Sequence, residues 1–303
     1  MPADSAREIV VESSPKNYFV DELMAPIGGA VRVVERRDGT RLATVSLVPA
    51  GGASRGTVVL AHGFAGCRDD WNVVAPGLVA RGYRVVAFDQ RGHGESTIGG
   101  DGIGTRQVVD DYLAILEAHD VRDAVMVGHS MGGFVLINAL INKAGEMGGR
   151  LRGAMLLATF AGDVNRSNPQ NRVQIPLITS GLMARLVRVD AFAASLAKSL
   201  LGRSKPAAAV RALTNNFRRA NLRSLVPMLR AFVSEDRYGD LVGVSMPCAI
   251  VVGTLDKTTP PFHTDKLHAG IRGSRVVRVA ERGHLLNWEA PDVIIDEVAK
   301  LAG

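Results

Sequence analysis

Short runs of β-branched and other apolar residues alternate along this chain with longer stretches in which apolar positions recur every three or four residues. The short runs predict eight strands, at residues 30–35, 42–47, 57–61, 84–88, 124–127, 154–158, 248–252 and 275–279. Asp38-Gly39 between the first two suits a tight turn and makes them an antiparallel hairpin. The longer stretches predict helices near 71–81, 105–118, 131–143, 261–271 and 291–301. Strands alternating with helices imply the α/β class, a mostly parallel eight-stranded sheet flanked by helices on both faces.

One segment breaks the rhythm. Residues 161–244 contain no convincing strand, but they carry helix start signals at Asp190, at Ser204 ahead of Pro206, and at Asn221. Leu182, Met183, Leu186, Val187, Phe192 and Leu196 recur there at helical spacing. The expected organisation is an N-terminal extension (1–28), a core in two pieces (29–160 and 245–303), and a helical cap (161–244) over the C-terminal strand ends, where α/β ligand sites form. The extension is open to two readings, a loose tail or an arm across the core.

Composition narrows the class. The chain has 303 residues of which 47% are hydrophobic, enough for one large α/β domain with an insertion. Asp4, Arg7, Glu8, Glu12, Lys16, Asp21 and Glu22 interrupt the N-terminal stretch, which does not read as a signal peptide, and no apolar run reaches membrane-spanning length. A soluble, cytoplasmic protein is therefore expected. Cys67 and Cys248 are far apart and suggest neither a disulfide framework nor a zinc site. The net charge of +6 is uneven, with thirteen Lys or Arg against five Asp or Glu between residues 161 and 243. That excess reads as a solvated helical surface or as a weak contact for an anionic surface or substrate. No phosphate loop, dinucleotide fingerprint or metal-ligand spacing is present, so no cofactor, metal or nucleic-acid partner is expected.

The chemistry concentrates at Gly128-His129-Ser130-Met131-Gly132, between an apolar strand and a helical pattern. A serine at the tip of such a turn has its hydroxyl lifted off the sheet edge, with the following N–H beside it. The glycines relieve crowding where strand and helix close on one another. A hydroxyl needs a base within reach to attack, and the base needs an orienting carboxylate. Among the histidines, His129 is expected to point to the opposite side of the turn from Ser130. His62 and His93 sit in Gly-flanked loops, and His119, His263 and His268 fall in or beside helices. His284 lies just beyond the last strand, at the sheet edge that carries Ser130. Asp256 follows strand 248–252 at the same edge and is the expected orienting acid, with Asp163 after the preceding strand as the alternative. An oxyanion would be met by the Met131 N–H and by the Phe64 N–H of the loop Ala61-His62-Gly63-Phe64-Ala65-Gly66, where Gly63 lets the backbone bend.

With these residues in place the chain resembles the α/β-hydrolase fold family, from about residue 30 to its end. The resemblance runs through HGFAG, the FDQRGHGES segment of residues 88–96, GHSMGG, VVGTLD and GHLLNWEAP. It implies Ser130, Asp256 and His284 as a catalytic triad and a structural role for the loop of Asp89 and Arg91. Within the family, HGFAGCRDDW is similar to the loop of cofactor-free haloperoxidase-like esterases, although Ala65 stands where perhydrolases usually carry proline. RGHG and GHSMGG are shared with monoacylglycerol lipases. The expected activity is cleavage of a small-molecule carboxylic ester with an apolar acyl chain, through an acyl-enzyme. Carbon-carbon or thioester cleavage and haloperoxidase- or perhydrolase-like turnover by the same triad are the alternatives. A low-turnover ligand-binding receptor on the same fold is the alternative of another class.

Overall fold

Nine strands form one sheet, in a computed structural model that describes residues 8–14, 16–165 and 169–303. Residues 1–7, with Asp4 and Arg7, and residues 15 and 166–168 lie outside the described residues. In chain order the strands are β1 Glu8–Val11, β2 Ala30–Glu35, β3 Arg41–Leu47, β4 Thr57–Ala61, β5 Arg84–Phe88, β6 Ala124–His129, β7 Leu151–Leu157, β8 Cys248–Gly253 and β9 Arg275–Val279. Their spatial order is β1-β9-β8-β7-β6-β4-β5-β3-β2. Every neighbouring pair from β1 through β5 is parallel, while β3 pairs antiparallel with both β5 and β2.

The expectation of eight strands is corrected by β1. This strand lies parallel to β9, with Glu8 opposite Val276 and Val11 opposite Val279. It has four residues, three of them exposed, in a charged segment. Its stability comes from the edge it joins and from the Glu8–Arg278 ion pair rather than from a buried face of its own. Beyond it the Arg282 guanidinium donates to the Ser13 carbonyl, the Ser13 hydroxyl donates to Asp292 at 3.0 Å, and the helix Val20–Met24 buries Leu23.

Period-two alternation sorts the central strands into two cores. Val59, Ala61, Val86, Phe88, Met126 and Leu156 face one side, where the helices Thr105–Ala118 and Met131–Asn142 pack. Val58, Leu60, Val85, Ala87, Val125 and Leu157 face the other, against Val74–Ala80 and Pro291–Ala302. With both faces covered, β6 and β8 are buried along their whole length, which is why they read as unbroken apolar runs.

Between β7 and β8 lie the helices Pro169–Thr179, Met183–Leu186, Asp190–Leu200, Ala207–Arg219 and Val226–Ser234. Asp190 opens a helix as its residue type suggests, and Pro206 immediately precedes another. Asn221 instead stabilises a turn, its carbonyl accepting from the Ser224 hydroxyl at 2.8 Å, and the next helix begins at Val226. Phe232 from that helix meets Phe134 and Phe160 with ring centroids 5.3 and 5.5 Å apart, seating the segment on the helix that follows Ser130. Among the described residues no helix is long and apolar enough to cross a membrane. Both cysteines are free, and burial pushes the Cys248 thiol up to about 12.

Candidate active site

Ser130 sits between the end of β6 and the first turn of Met131–Asn142, with φ 52° and ψ −115°. A non-glycine residue in that region costs on the order of 1–3 kcal/mol and persists only where its surroundings hold it. Here the Ser130 N–H donates to the Leu157 carbonyl at 2.9 Å, and the Thr159 hydroxyl donates to the Ser130 carbonyl at 2.6 Å. The flanking glycines answer two different neighbours. A Cβ on Gly128 would lie 2.6 Å from the Gly132 carbonyl, the strand-to-helix crowding expected of the turn. A Cβ on Gly132 would lie 2.5 Å from the carbonyl oxygen of Ala61 and 2.7 Å from that of His62, so this glycine lets the turn approach the end of β4.

His284 and Asp256 meet as their positions after β9 and β8 suggest. The imidazole Nδ1 is 2.8 Å from Asp256 Oδ2. Thr259 donates its hydroxyl to the same oxygen at 2.8 Å, while the N–H groups of Thr258 and Thr259 donate to Oδ1 at 2.8 and 3.0 Å. Burial works to raise the Asp256 pKa, but the neighbouring His284 ring and these hydrogen bonds outweigh it and hold the carboxyl below the usual range. The two loops touch through their backbones, with the Leu255 N–H donating to the Arg282 carbonyl at 2.9 Å. Gly253 permits this, since a Cβ there would come within 2.3 Å of the Gly283 carbonyl. Asp163 is placed elsewhere, with its carboxylate 2.9 Å from the Lys266 ammonium.

Ser130 and His284 line one cavity of about 60 Å³ together with Phe64. All of Ser130, His284 and Asp256 are at least nine-tenths buried. Among the described residues neither the Phe64 N–H nor the Met131 N–H donates to an acceptor. The Phe64 loop is braced by a buried network that the sequence did not disclose. Tyr112 donates to Gln90 Oε1 at 2.8 Å, Gln90 Nε2 to the His62 carbonyl at 2.6 Å, and the Gln90 N–H to His62 Nε2 at 3.0 Å. His62 Nδ1 then donates to the Gly63 carbonyl at 2.7 Å. Burial brings the His62 pKa down to about 4, so the ring stays neutral and keeps both roles.

His129 departs from expectation. Rather than pointing away from the site, it lines the Ser130 cavity and donates Nε2–H to the His284 carbonyl at 2.9 Å, its ring centroid 4.9 Å from that of His284. Burial lowers its pKa to about 3, and a neutral ring here adds no charge beside His284. Glu289 holds the same loop from below, accepting the Gly283 N–H at 3.0 Å and the Gly202 N–H at 2.8 Å. Asp89 and Arg91 form the buried scaffold that the resemblance implies. Asp89 accepts the N–H groups of Arg68 and Glu95 at 2.7 and 2.9 Å, and Arg91 chelates Asp111 at 2.7 and 2.8 Å while reaching Asp38 at 2.8 Å.

The family model described as alpha/beta hydrolase fold matches residues 56–291. A non-heme chloroperoxidase of Burkholderia pyrrocinia is 29% identical over 213 residues, 67% of this chain and 75% of that protein. A protein named karrikin insensitive 2 receptor CA, of Petunia hybrida, is 24% identical over 249 residues, 80% of this chain and 90% of its own length. Among solved structures, the esterase EaEST of Exiguobacterium antarcticum superposes with a TM-score of 0.78 at 17% identity, covering 91% of this chain and 99% of that one.

Proposed function

Because the chain belongs to the α/β-hydrolase fold family, we propose that it is a serine ester hydrolase working through an acyl-enzyme, with Ser130 as nucleophile, His284 as base and acid, and Asp256 as the group that orients His284. The observation that carries this reading is the 2.8 Å contact of His284 Nδ1 with Asp256 Oδ2, set beside a strained Ser130 on the same cavity.

The chemistry follows from that geometry. With Asp256 holding Nδ1–H, the lone pair of His284 is on Nε2, which takes the Ser130 proton as Oγ attacks the ester carbonyl. The oxygen that becomes negative is met by the Phe64 and Met131 N–H groups, each of the kind that contributes about 3 kcal/mol to the transition state. His284 then returns the proton to the departing alcohol. Water repeats the sequence on the acyl-enzyme and frees the acid. Residues 161–244 act as the cap, and its Leu200, Leu213 and Phe217 face the reacting centre and favour an apolar acyl group. The basic excess of this cap would draw esters presented at an anionic surface, an attraction that salt weakens.

A fluorophosphonate probe on folded protein, read by mass spectrometry, tests the assignment. Labelling confined to Ser130 and lost in His284→Ala is expected. Unlabelled Ser130 in protein with a cooperative melt would refute a hydrolase mechanism and favour a receptor role of the kind named for the Petunia relative. Turnover of p-nitrophenyl esters set against a diketone panel separates ester from carbon-carbon cleavage.

A further inference from the structure

Apart from Ser130, His284 and His129, two polar side chains line the 60 Å³ cavity, Asp70 and Asn216. They are otherwise surrounded by the apolar walls described above. Asp70 belongs to the 3₁₀ turn Arg68–Trp71 and is held at both ends. Its Oδ2 accepts the Cys67 N–H at 3.1 Å, and its main-chain carbonyl accepts Asn287 Nδ2 at 2.8 Å and Trp288 Nε1 at 3.1 Å. The remaining carboxylate oxygen, Oδ1, accepts one N–H of Asn216 at 3.1 Å, across the boundary between core and cap helix Ala207–Arg219. Asn216 is thereby aimed, while its second N–H and its side-chain carbonyl have no partner among the described residues.

Asn216 also stands in the wall of a second cavity of about 330 Å³, which shares Ala65 and Gly66 with the first. The charges around that space are mostly engaged with each other. Arg68 is bound by Asp89 and, at 2.6 Å, by Glu95, and Asp69 accepts the Ile27 N–H at 2.9 Å. Arg219 is thus set against a lining that also holds three carboxylates, Asp69, Asp89 and Glu95. This balance gives a substrate carboxylate little attraction, whereas a neutral group able to donate and accept is accommodated. A site with an oriented amide rejects a substrate that leaves the amide unpaired, by more than an apolar wall can discriminate.

Resting on the ester-hydrolase reading, we propose that Asn216, oriented by Asp70, is the specificity-determining contact for a hydroxyl on the substrate chain that passes from the Ser130 cavity into the larger one, so that hydroxyacyl esters are preferred over plain alkyl esters. The hydroxyl donates to Asn216 Oδ1 and accepts its free N–H. Asp70 acts on the hydroxyl through Asn216 and is a positioning residue.

The test is the ratio of kcat/KM for p-nitrophenyl 3-hydroxybutyrate to that for p-nitrophenyl butyrate, measured in one preparation so that general losses cancel. Wild type should favour the hydroxy ester, and Asn216→Leu and Asn216→Ala should each reduce the ratio by about tenfold, the scale of one unpaired hydrogen bond. Asp70→Asn, whose single carbonyl oxygen cannot accept from both Cys67 and Asn216, should lose part of the preference, while Asp70→Leu should lose it all. If the pair only pins cap to core, every variant lowers both rates alike and leaves the ratio unchanged, which overturns the proposal. A wild-type ratio at or below one also overturns it while leaving the ester-hydrolase reading intact, and absence of turnover on both esters removes the two together.

Discussion

Replacing Gly132 by alanine tests whether the close approach of the Ser130 turn to the end of β4 sets the catalytic geometry. The new methyl would sit 2.5 Å from the Ala61 carbonyl oxygen and 2.7 Å from that of His62, where ordinary contact begins at 3.4 Å. Both obstacles are backbone, at the junction of a strand buried from Val58 to Ala61 and the braced Phe64 loop, so no side chain can swing aside. The helix start must therefore move by about 0.9 Å, carrying the Met131 N–H away from the Phe64 N–H. A displacement of that size costs on the order of 10²-fold in rate, similar to the loss of one oxyanion donor at about 3 kcal/mol, while overpacking itself destabilises by about 1–3 kcal/mol. The assay is kcat and KM on p-nitrophenyl butyrate together with urea unfolding. The expected result is a fall in kcat of about 10²-fold with KM little changed, in protein that still unfolds cooperatively. Gly145→Ala, where nothing lies within 4 Å of the added methyl, serves as the control and should leave kcat as it is. A Gly132→Ala enzyme within about threefold of wild type would show that the elbow tolerates displacement, and the steric reasoning would be wrong.

Other substitutions bear on the remaining parts of the site. Ser130→Ala and His284→Ala should each remove nearly all ester turnover, and the double variant should be no worse than either, because such residues act as a unit. Asp256→Asn should lower kcat by several orders of magnitude, whereas Asp163→Asn, which weakens the contact with Lys266, should stay close to wild type; the reverse outcome would reassign the orienting acid. Burial raises the Asp70 pKa to about 7, with Asp89 and Asp69 adding to the effect. Because the folded state holds this proton more tightly than the unfolded chain, its contribution to stability is complete below about pH 4 and declines as pH rises through about 7. Asp70→Asn should therefore lose less stability than wild type between about pH 4 and pH 8, by about 2–4 kcal/mol in urea titrations, and parallel pH profiles would contradict the raised pKa.

What the chain determined by itself was whatever local pattern and backbone chemistry can encode. The alternation within Thr57–Ala61 and Arg84–Phe88 divides cleanly between two cores, and the buried run before Ser130 could be read as a central strand because covering both faces demands apolar residues at every position. Ser130, His284 and Asp256 could be named because each follows a strand, and parallel strands deliver their C-terminal loops to one edge. Tertiary structure decided the features that require a partner distant in sequence. Glu8–Val11 is a strand only because β9 offers an open edge, and no periodicity in four mostly exposed residues could announce it. His129 turns toward His284 because the carbonyl it binds belongs to a loop 155 residues away. The link from His62 through Gln90 to Tyr112, and the pairing of Asp70 with Asn216, join side chains whose types are unremarkable in isolation. Pattern records which way a side chain must face, but a hydrogen bond depends on a separation of a few ångströms, and that is set only when layers far apart in the chain have packed together.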